Sequence, residues 1–207
     1  MSSDVNRDMS NETEQQYQQR MEKTKTEVAE RVAKASERRG TLIVLTGNGK
    51  GKSTSGFGTV FRAAGYGIQT AVVQYIKGTW PCGERDLALK LGIPIEVMGT
   101  GFTWETQSRE KDIAAAQKAW EASKRFLSDP AIEVLLLDEL TYMLSYQYLD
   151  LDDITAALAA RPENQTVIIT GRDCHPDLMA VADTVSEVKP LKHAFEAGIK
   201  ARKGVDW

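Results

Sequence analysis

The chain has 207 residues, and its 26 Lys and Arg against 29 Asp and Glu leave a formal net charge of −3. That length suits a single α/β domain, and the charge balance offers no bulk basic surface for nucleic acid. No apolar run approaches the ~20 residues of a membrane span, and two cysteines, Cys82 and Cys174, are too few for a disulfide framework.

Residues 1–39 contain no Gly or Pro and are dominated by Glu, Gln, Lys and Arg. The polar, acidic start has neither the apolar core of a secretory leader nor the basic face of a transit peptide, so the expected location is cytoplasmic. Tyr17, Met21, Thr24, Val28, Val32 and Ala35 recur at spacings of three and four, one narrow stripe along a helix. Such a stripe suits a helical arm that is either frayed in solvent or docked on a partner subunit or ligand, and Gly40 is placed to cap its end. The expected organisation is an arm over 1–39 and a nucleotide-binding domain over 40–207.

From Thr41 the pattern becomes short, β-branched-rich apolar runs: Thr41–Thr46, Thr70–Ile76, Ile93–Met98, Ile132–Asp138 and Gln165–Thr170, with a sixth candidate at Thr184–Val188. Several are apolar on both faces, as buried parallel strands are. Helical stretches at about 52–65, 108–128 and 151–160 alternate with them, and Glu196–Trp207 reads as a tail. Alternation of this kind predicts an α/β fold, a doubly wound, mostly parallel sheet with helices on both faces.

The first strand runs into Gly47-Asn48-Gly49-Lys50-Gly51-Lys52-Ser53-Thr54, a Gly-rich turn opening a helix. Glycines let successive amides turn into one concavity, and the helix N-terminus adds its positive dipole end. Lys52 supplies a full charge for phosphate, and the Ser53 hydroxyl is placed to coordinate magnesium. The usual pattern puts four residues between its first Gly and the Gly-Lys pair, whereas only three separate Gly47 from Gly51. Lys50 adds a second cation to this shortened turn.

Asp138-Glu139 ends the strand Ile132–Asp138, where carboxylates face the ligand crevice of a parallel sheet and can hold a metal. Arg172 follows the strand Gln165–Thr170, placed to clamp phosphate, and Arg62 lies on the helix after the phosphate loop. These residues predict a nucleoside triphosphate and magnesium site. They leave the reaction open between group transfer from the nucleotide, a phosphotransferase or ATPase using Asp138 or Glu139 to orient a nucleophile, and a non-catalytic nucleotide-gated module. Two loops rich in aromatics, glycine and charge, Lys77–Arg85 and Gly99–Gln107, overhang the same crevice, and Phe102 and Trp104 suit a flat apolar ligand wall.

TGNGKGKST, QYIKGTWPCGER, MGTGFTWETQ, LLLDELTYML and VIITGRDCH, in that order, resemble the P-loop class of ATP:corrinoid adenosyltransferases, from about Gly40 to the end of the chain. The resemblance implies transfer of the 5′-deoxyadenosyl group of ATP to cobalt(I) of cobalamin or a precursor. The triphosphate leaves, because ATP lies in the sense opposite to that in kinases. It implies that Asn48, Gly49, Lys50, Gly51, Lys52, Ser53 and Thr54 hold the triphosphate, with Arg62 and Arg172 as further contacts. Ser53 and Glu139 would hold magnesium or manganese, with Asp138 as a second candidate. Phe102 and Trp104 would meet the lower face of the corrin, and a reduced flavoprotein such as flavodoxin would supply the electron that gives cobalt(I). A homodimer is also implied. Ser53 stands where the family pattern has threonine, which keeps the hydroxyl, and Asp173 stands where the pattern has glycine.

Overall fold

The computed structural model describes residues 12–76, 80–99 and 108–206. It divides into two compact units, Met1–Arg38 and Arg39–Trp207.

The first unit is helix α1, Glu14–Lys34. Thr13 caps it through a capping box with Gln16, which satisfies donors that a helix start leaves orphaned. None of its residues is buried, and the predicted stripe presents Tyr17, Val28 and Val32 to solvent. Gly40 does not cap this helix, which ends at Ala35. Gly40 is buried in the second unit, its N–H donating to Glu163 O at 2.7 Å, and a Cβ there would run into the backbone of Asn164 and Gln165. Close backbone approach, not a helix end, explains the glycine.

The second unit is a six-stranded, all-parallel sheet in the order β3-β2-β4-β5-β1-β6. The strands are β1 Leu42–Thr46, β2 Thr70–Gln74, β3 Ile95–Val97, β4 Val134–Asp138, β5 Thr166–Thr170 and β6 Thr184–Glu187, with no end more than two residues from the expected bounds. Helices α2 Lys52–Gly65, α3 Gly83–Lys90, α4 Arg109–Ser128, α5 Thr141–Ser145, α6 Leu151–Ala159 and α7 Pro176–Ala180 connect them.

Strand period two sends alternate side chains to opposite faces, and the core divides accordingly. Leu135, Leu137, Val167 and Ile169 pack with Trp120, Ile154 and Leu158 from α4 and α6. Leu136, Ile168 and Val72 pack with Phe57, Val60 and Ala88 from α2 and α3. The sheet is therefore doubly wound, as expected. Burial on both faces holds for every residue of β2 and β4 but fails at the edges, where β6 is exposed throughout. Short helices α3, α5 and α7 were not among the expected elements; eight or five residues carry too little periodicity to register.

Arg39 belongs to this second unit by contact. Its guanidinium donates to both carboxylate oxygens of Asp183 at 3.0 and 2.6 Å, and Leu42 N–H donates to the same carboxylate at 2.8 Å. These bonds, led by that from Arg39, hold the Asp183 carboxyl down at about 2 and fasten the entry to β1 beside the turn before β6.

Candidate functional site

The strand order decides what meets. The carboxyl ends of β4, β5 and β1 stand side by side, so Asp138-Glu139, Gly171-Arg172 and the loop after Thr46 converge on one crevice. A cavity of about 330 Å³ opens there. Its walls include Asn48, Gly49, Lys50, Gly51, Lys52, Ser53 and Thr54 from the loop, Glu139 and Tyr142 after β4, and Arg172 after β5.

The loop is shaped by its own neighbours as well as for a ligand. Gly49 N–H donates to Val188 O at 2.7 Å, and a Cβ at Gly47 or Gly49 would collide with that carbonyl. The Gly49 amide is thus committed to the chain itself, while its carbonyl accepts the Lys52 ammonium at 2.8 Å. Gly51 is the N-cap of α2 with φ of +116°, a left-handed conformation that favours glycine. As Gly51 has no side chain to cap α2, first-turn amides remain for an anion at the positive end of the helix dipole.

Lys52 is 7% exposed. Burial pulls its pKa down most strongly, Glu139 and Asp138 push it back up, and Arg172 lowers it further. The ammonium is therefore partly desolvated beside a carboxylate and a second cation, a setting that strengthens its attraction for incoming phosphate.

The two adjacent acids have different surroundings. Asp138 is 0% exposed, and its carboxylate accepts Thr170 Oγ1 at 2.7 Å and Gln74 Nε2 at 3.1 Å. Thr170 Oγ1 in turn accepts Glu139 N–H at 3.0 Å, so Asp138 supports the turn that aims its neighbour. Glu139 has φ of +64°, an unfavourable conformation of the kind that collects at functional sites, and it lines the cavity. Of the two carboxylates, Glu139 is the one in the cavity wall.

Thr141 Oγ1 donates to Arg172 O at 2.6 Å and ties the β5 turn to α5. Beyond it, Asp173 adopts φ of +50°, the left-handed region where glycine is easiest and Asp is better tolerated than most residues. Asp173 thus holds a backbone shape that would also suit the glycine expected at this position.

Arg62 is not brought to the loop among the described residues. It lies exposed in the last turn of α2, ten residues beyond Lys52 and about 15 Å along the helix, outside the cavity wall. Phe102 and Trp104 lie outside the described residues.

Other wall residues had no role assigned from the sequence, although Tyr142 and Glu84 lie in segments expected beside the crevice. Tyr142 is half-buried there, its phenol pushed up to about 12 by burial first and by the Glu139 carboxylate second, so it remains a neutral donor. Glu84 enters from α3, and His193, Val205 and Asp206 enter from the segment after β6. His193, Val205 and Asp206 have no fixed spacing from the phosphate loop, and only folding places them beside it.

Known proteins resemble this chain in sequence. The model of the ATP:corrinoid adenosyltransferase family BtuR/CobO/CobP matches residues 38–207. The corrinoid adenosyltransferase CobA of Salmonella typhimurium is 56% identical over 195 residues, covering 94% of this chain and 100% of that protein. The corrinoid adenosyltransferase of Escherichia coli K12 is 54% identical with the same coverage, and that of Pseudomonas aeruginosa is 47% identical over 95% of this chain and 98% of its own. Among solved structures, the flagellar accessory protein FlaH of Methanocaldococcus jannaschii aligns with TM-score 0.50 at 12% identity, covering 72% of this chain and 71% of that one; it shares the fold alone. With the phosphate loop, the β4 acids and the β5 arginine all inside the matched region, the chain belongs to the ATP:corrinoid adenosyltransferase family.

Proposed function

We propose that the cavity over the phosphate loop binds ATP with its triphosphate as leaving group, and that the chain transfers the 5′-deoxyadenosyl group to cobalt(I) of a corrinoid. The cobalt–carbon bond forms as the bond from C5′ to the triphosphate oxygen breaks, and the electron pair of that bond leaves with the triphosphate. Cobalt(I) is itself a strong nucleophile, so the protein need not remove a proton. Its task is to align the reactants and to stabilise the charge gathering on the leaving group. The observation that carries this reading is the convergence of Lys52, Arg172 and the open first turn of α2 on one cavity, with Glu139 in its wall.

Ser53 and Glu139 would hold a magnesium or manganese ion. A hydroxyl and a carboxylate are hard oxygen donors, and no cluster of three or more His, Cys, Asp or Glu occurs among the described residues. That donor set fits an ion which takes its remaining ligands from phosphate and water. When bound, the ion supplies positive charge against the triphosphate.

The sensitive assay is incubation with ATP, magnesium and chemically reduced corrinoid. Light-sensitive adenosylcorrinoid and stoichiometric triphosphate are expected. ADP in place of triphosphate would move the chain to phosphoryl transfer, and no turnover of any kind would leave a binding module.

Phe102 and Trp104 are proposed to form an apolar wall against the lower corrin face, keeping the lower ligand off cobalt(II) and easing its reduction by a flavodoxin-like flavoprotein. Their role then ends once the metal is cobalt(I). Replacing either with Ala should depress activity strongly in the flavoprotein-coupled assay and much less with pre-reduced cobalt(I). Equal losses in both assays would discard the redox role without touching adenosyl transfer.

The exposed stripe of α1 supports a further proposal, that the arm over residues 1–39 covers the corrinoid, in cis or from the second subunit of a homodimer in the cytoplasm. No helix among the described residues is long and apolar enough to cross a membrane. Deleting residues 1–38 should raise the corrinoid KM and leave ATP binding nearly unchanged; identical corrinoid kinetics would make the arm dispensable.

A further inference from the structure

Glu196–Trp207 was expected to be a tail, yet its Val205 and Asp206 line the cavity over the phosphate loop. Val188 O holds Gly49 N–H at 2.7 Å, and His193, Val205 and Asp206 line the same space as Lys52 and Glu139. Its last described turn is locally organised: Asp206 N–H donates to Arg202 O at 2.8 Å, while Arg202 N–H donates back to the Asp206 carboxylate, also at 2.8 Å. That turn fixes the carboxylate before anything else meets it.

The carboxylate then reaches Lys50, with Nζ to Oδ1 at 2.6 Å. Lys50 is the additional cation of the shortened phosphate loop and is one of the residues lining the cavity. Both side chains keep access to water, 47% exposed for Lys50 and 29% for Asp206, so the pair contributes little to folding. Its location gives it a different significance. An anion belonging to the chain sits on a cation of the phosphate loop. Hydrogen bonds from Lys50 first, and from Arg202 N–H second, also hold the Asp206 carboxyl below its ordinary range, so the group stays ionised.

An incoming triphosphate carries several negative charges and must either displace this carboxylate or be repelled by it. After adenosyl transfer the same competition would run in reverse, the carboxylate disfavouring rebinding of the freed triphosphate. We propose that Asp206 is an internal competitor for the triphosphate, holding Lys50 until nucleotide displaces it and reclaiming it as triphosphate leaves. Asp206 is thus a positioning residue that acts through Lys50. The inference rests on the reading that ATP binds over the phosphate loop.

The test uses the full chain and compares Asp206→Asn with the parent by calorimetric titration of magnesium–ATP and of inorganic triphosphate. Asn removes the charge and keeps an oxygen for Arg202 N–H; Asp206→Ser is the second charge-free variant should the first fail to fold. Binding of both ligands should tighten by about three- to tenfold, with the KM for ATP falling in parallel and the corrinoid KM unmoved. Asp206→Glu should return both affinities towards the parent. In a Lys50→Ala background, Asp206→Asn should change nothing further, because the carboxylate acts on that lysine.

Unchanged or weaker triphosphate binding in Asp206→Asn would overturn the inference, since a carboxylate that merely steadies Lys50 for phosphate predicts a loss. The same tightening without Lys50 would overturn it too, as it would then come from diffuse charge. Failure of the underlying reading looks different: the parent chain itself would bind neither magnesium–ATP nor triphosphate.

Discussion

Replacing Lys52 with Ala should lower kcat/KM for ATP by about tenfold to more than a hundredfold while leaving the fold intact. The lysine is buried at the start of α2, with its ammonium on Gly49 O and the Glu139 carboxylate near enough to raise its pKa. A charge-assisted contact to phosphate is worth roughly 1.5–3 kcal/mol, which converts to the stated range.

Stability should move little, and the sign of the lysine's contribution explains why. Burial lowers its pKa in the folded chain, so the folded state holds this proton less tightly than the unfolded state. Its contribution is fully present above the ordinary lysine range and is reduced as pH falls through the lowered value. Near neutral pH the desolvated ammonium is therefore a cost, and removing it offsets the lost bond to Gly49. The melting midpoint of Lys52→Ala should stay within about 3 °C of the parent. Parental kinetics with ATP would remove the phosphate loop from the site.

Asp138→Ala should act the other way, on stability first. Its carboxylate accepts from Thr170 and Gln74 in the middle of the sheet, with no exposure to solvent. Truncation leaves a buried hydroxyl and amide without that acceptor and opens a void where β4 pairs with β2 and β5. Each unsatisfied group costs about 1–3 kcal/mol, so a loss of about 2–4 kcal/mol is expected. For a chain of this size that is a fall of roughly 5–15 °C in melting midpoint by calorimetry.

Asp138→Asn keeps an acceptor for Thr170 and should lose less. Activity should fall in both variants as Thr170 loosens its hold on the Glu139 amide. An Ala variant that melts within about 2 °C of the parent would mean that the network adds nothing to stability. Loss of magnesium affinity without loss of stability would instead make Asp138 a direct ligand.

What the order of residues determined by itself is local. β-Branched apolar runs are strands wherever they are buried, and five of the six lie in the sheet interior or pair along it with at least partial cover. The phosphate loop was legible because backbone shape and charge there depend on residues adjacent in the chain. Helix α2 begins at Lys52, and α4 and α6 lie within one residue of their expected bounds, since amphipathic helices of this length carry their own period.

The tertiary structure decided what adjacency cannot. Gly40 looked like a helix cap until the backbone of Gln165, far along the chain, filled the space where a Cβ would go. Asp138 and Glu139 are neighbours with the same chemistry. Only the pairing of β4 with β2 and β5 buries the first against Gln74 and Thr170, while a left-handed turn puts the second in the cavity wall. Asp206 and Lys50 have no sequence spacing that could announce a contact across 156 positions. Their meeting follows from β6 pairing beside β1, which returns the chain to the loop that β1 opens. Local preferences act over a few residues, whereas a site assembled at the ends of four strands is set by the strand order, which is a property of the whole fold.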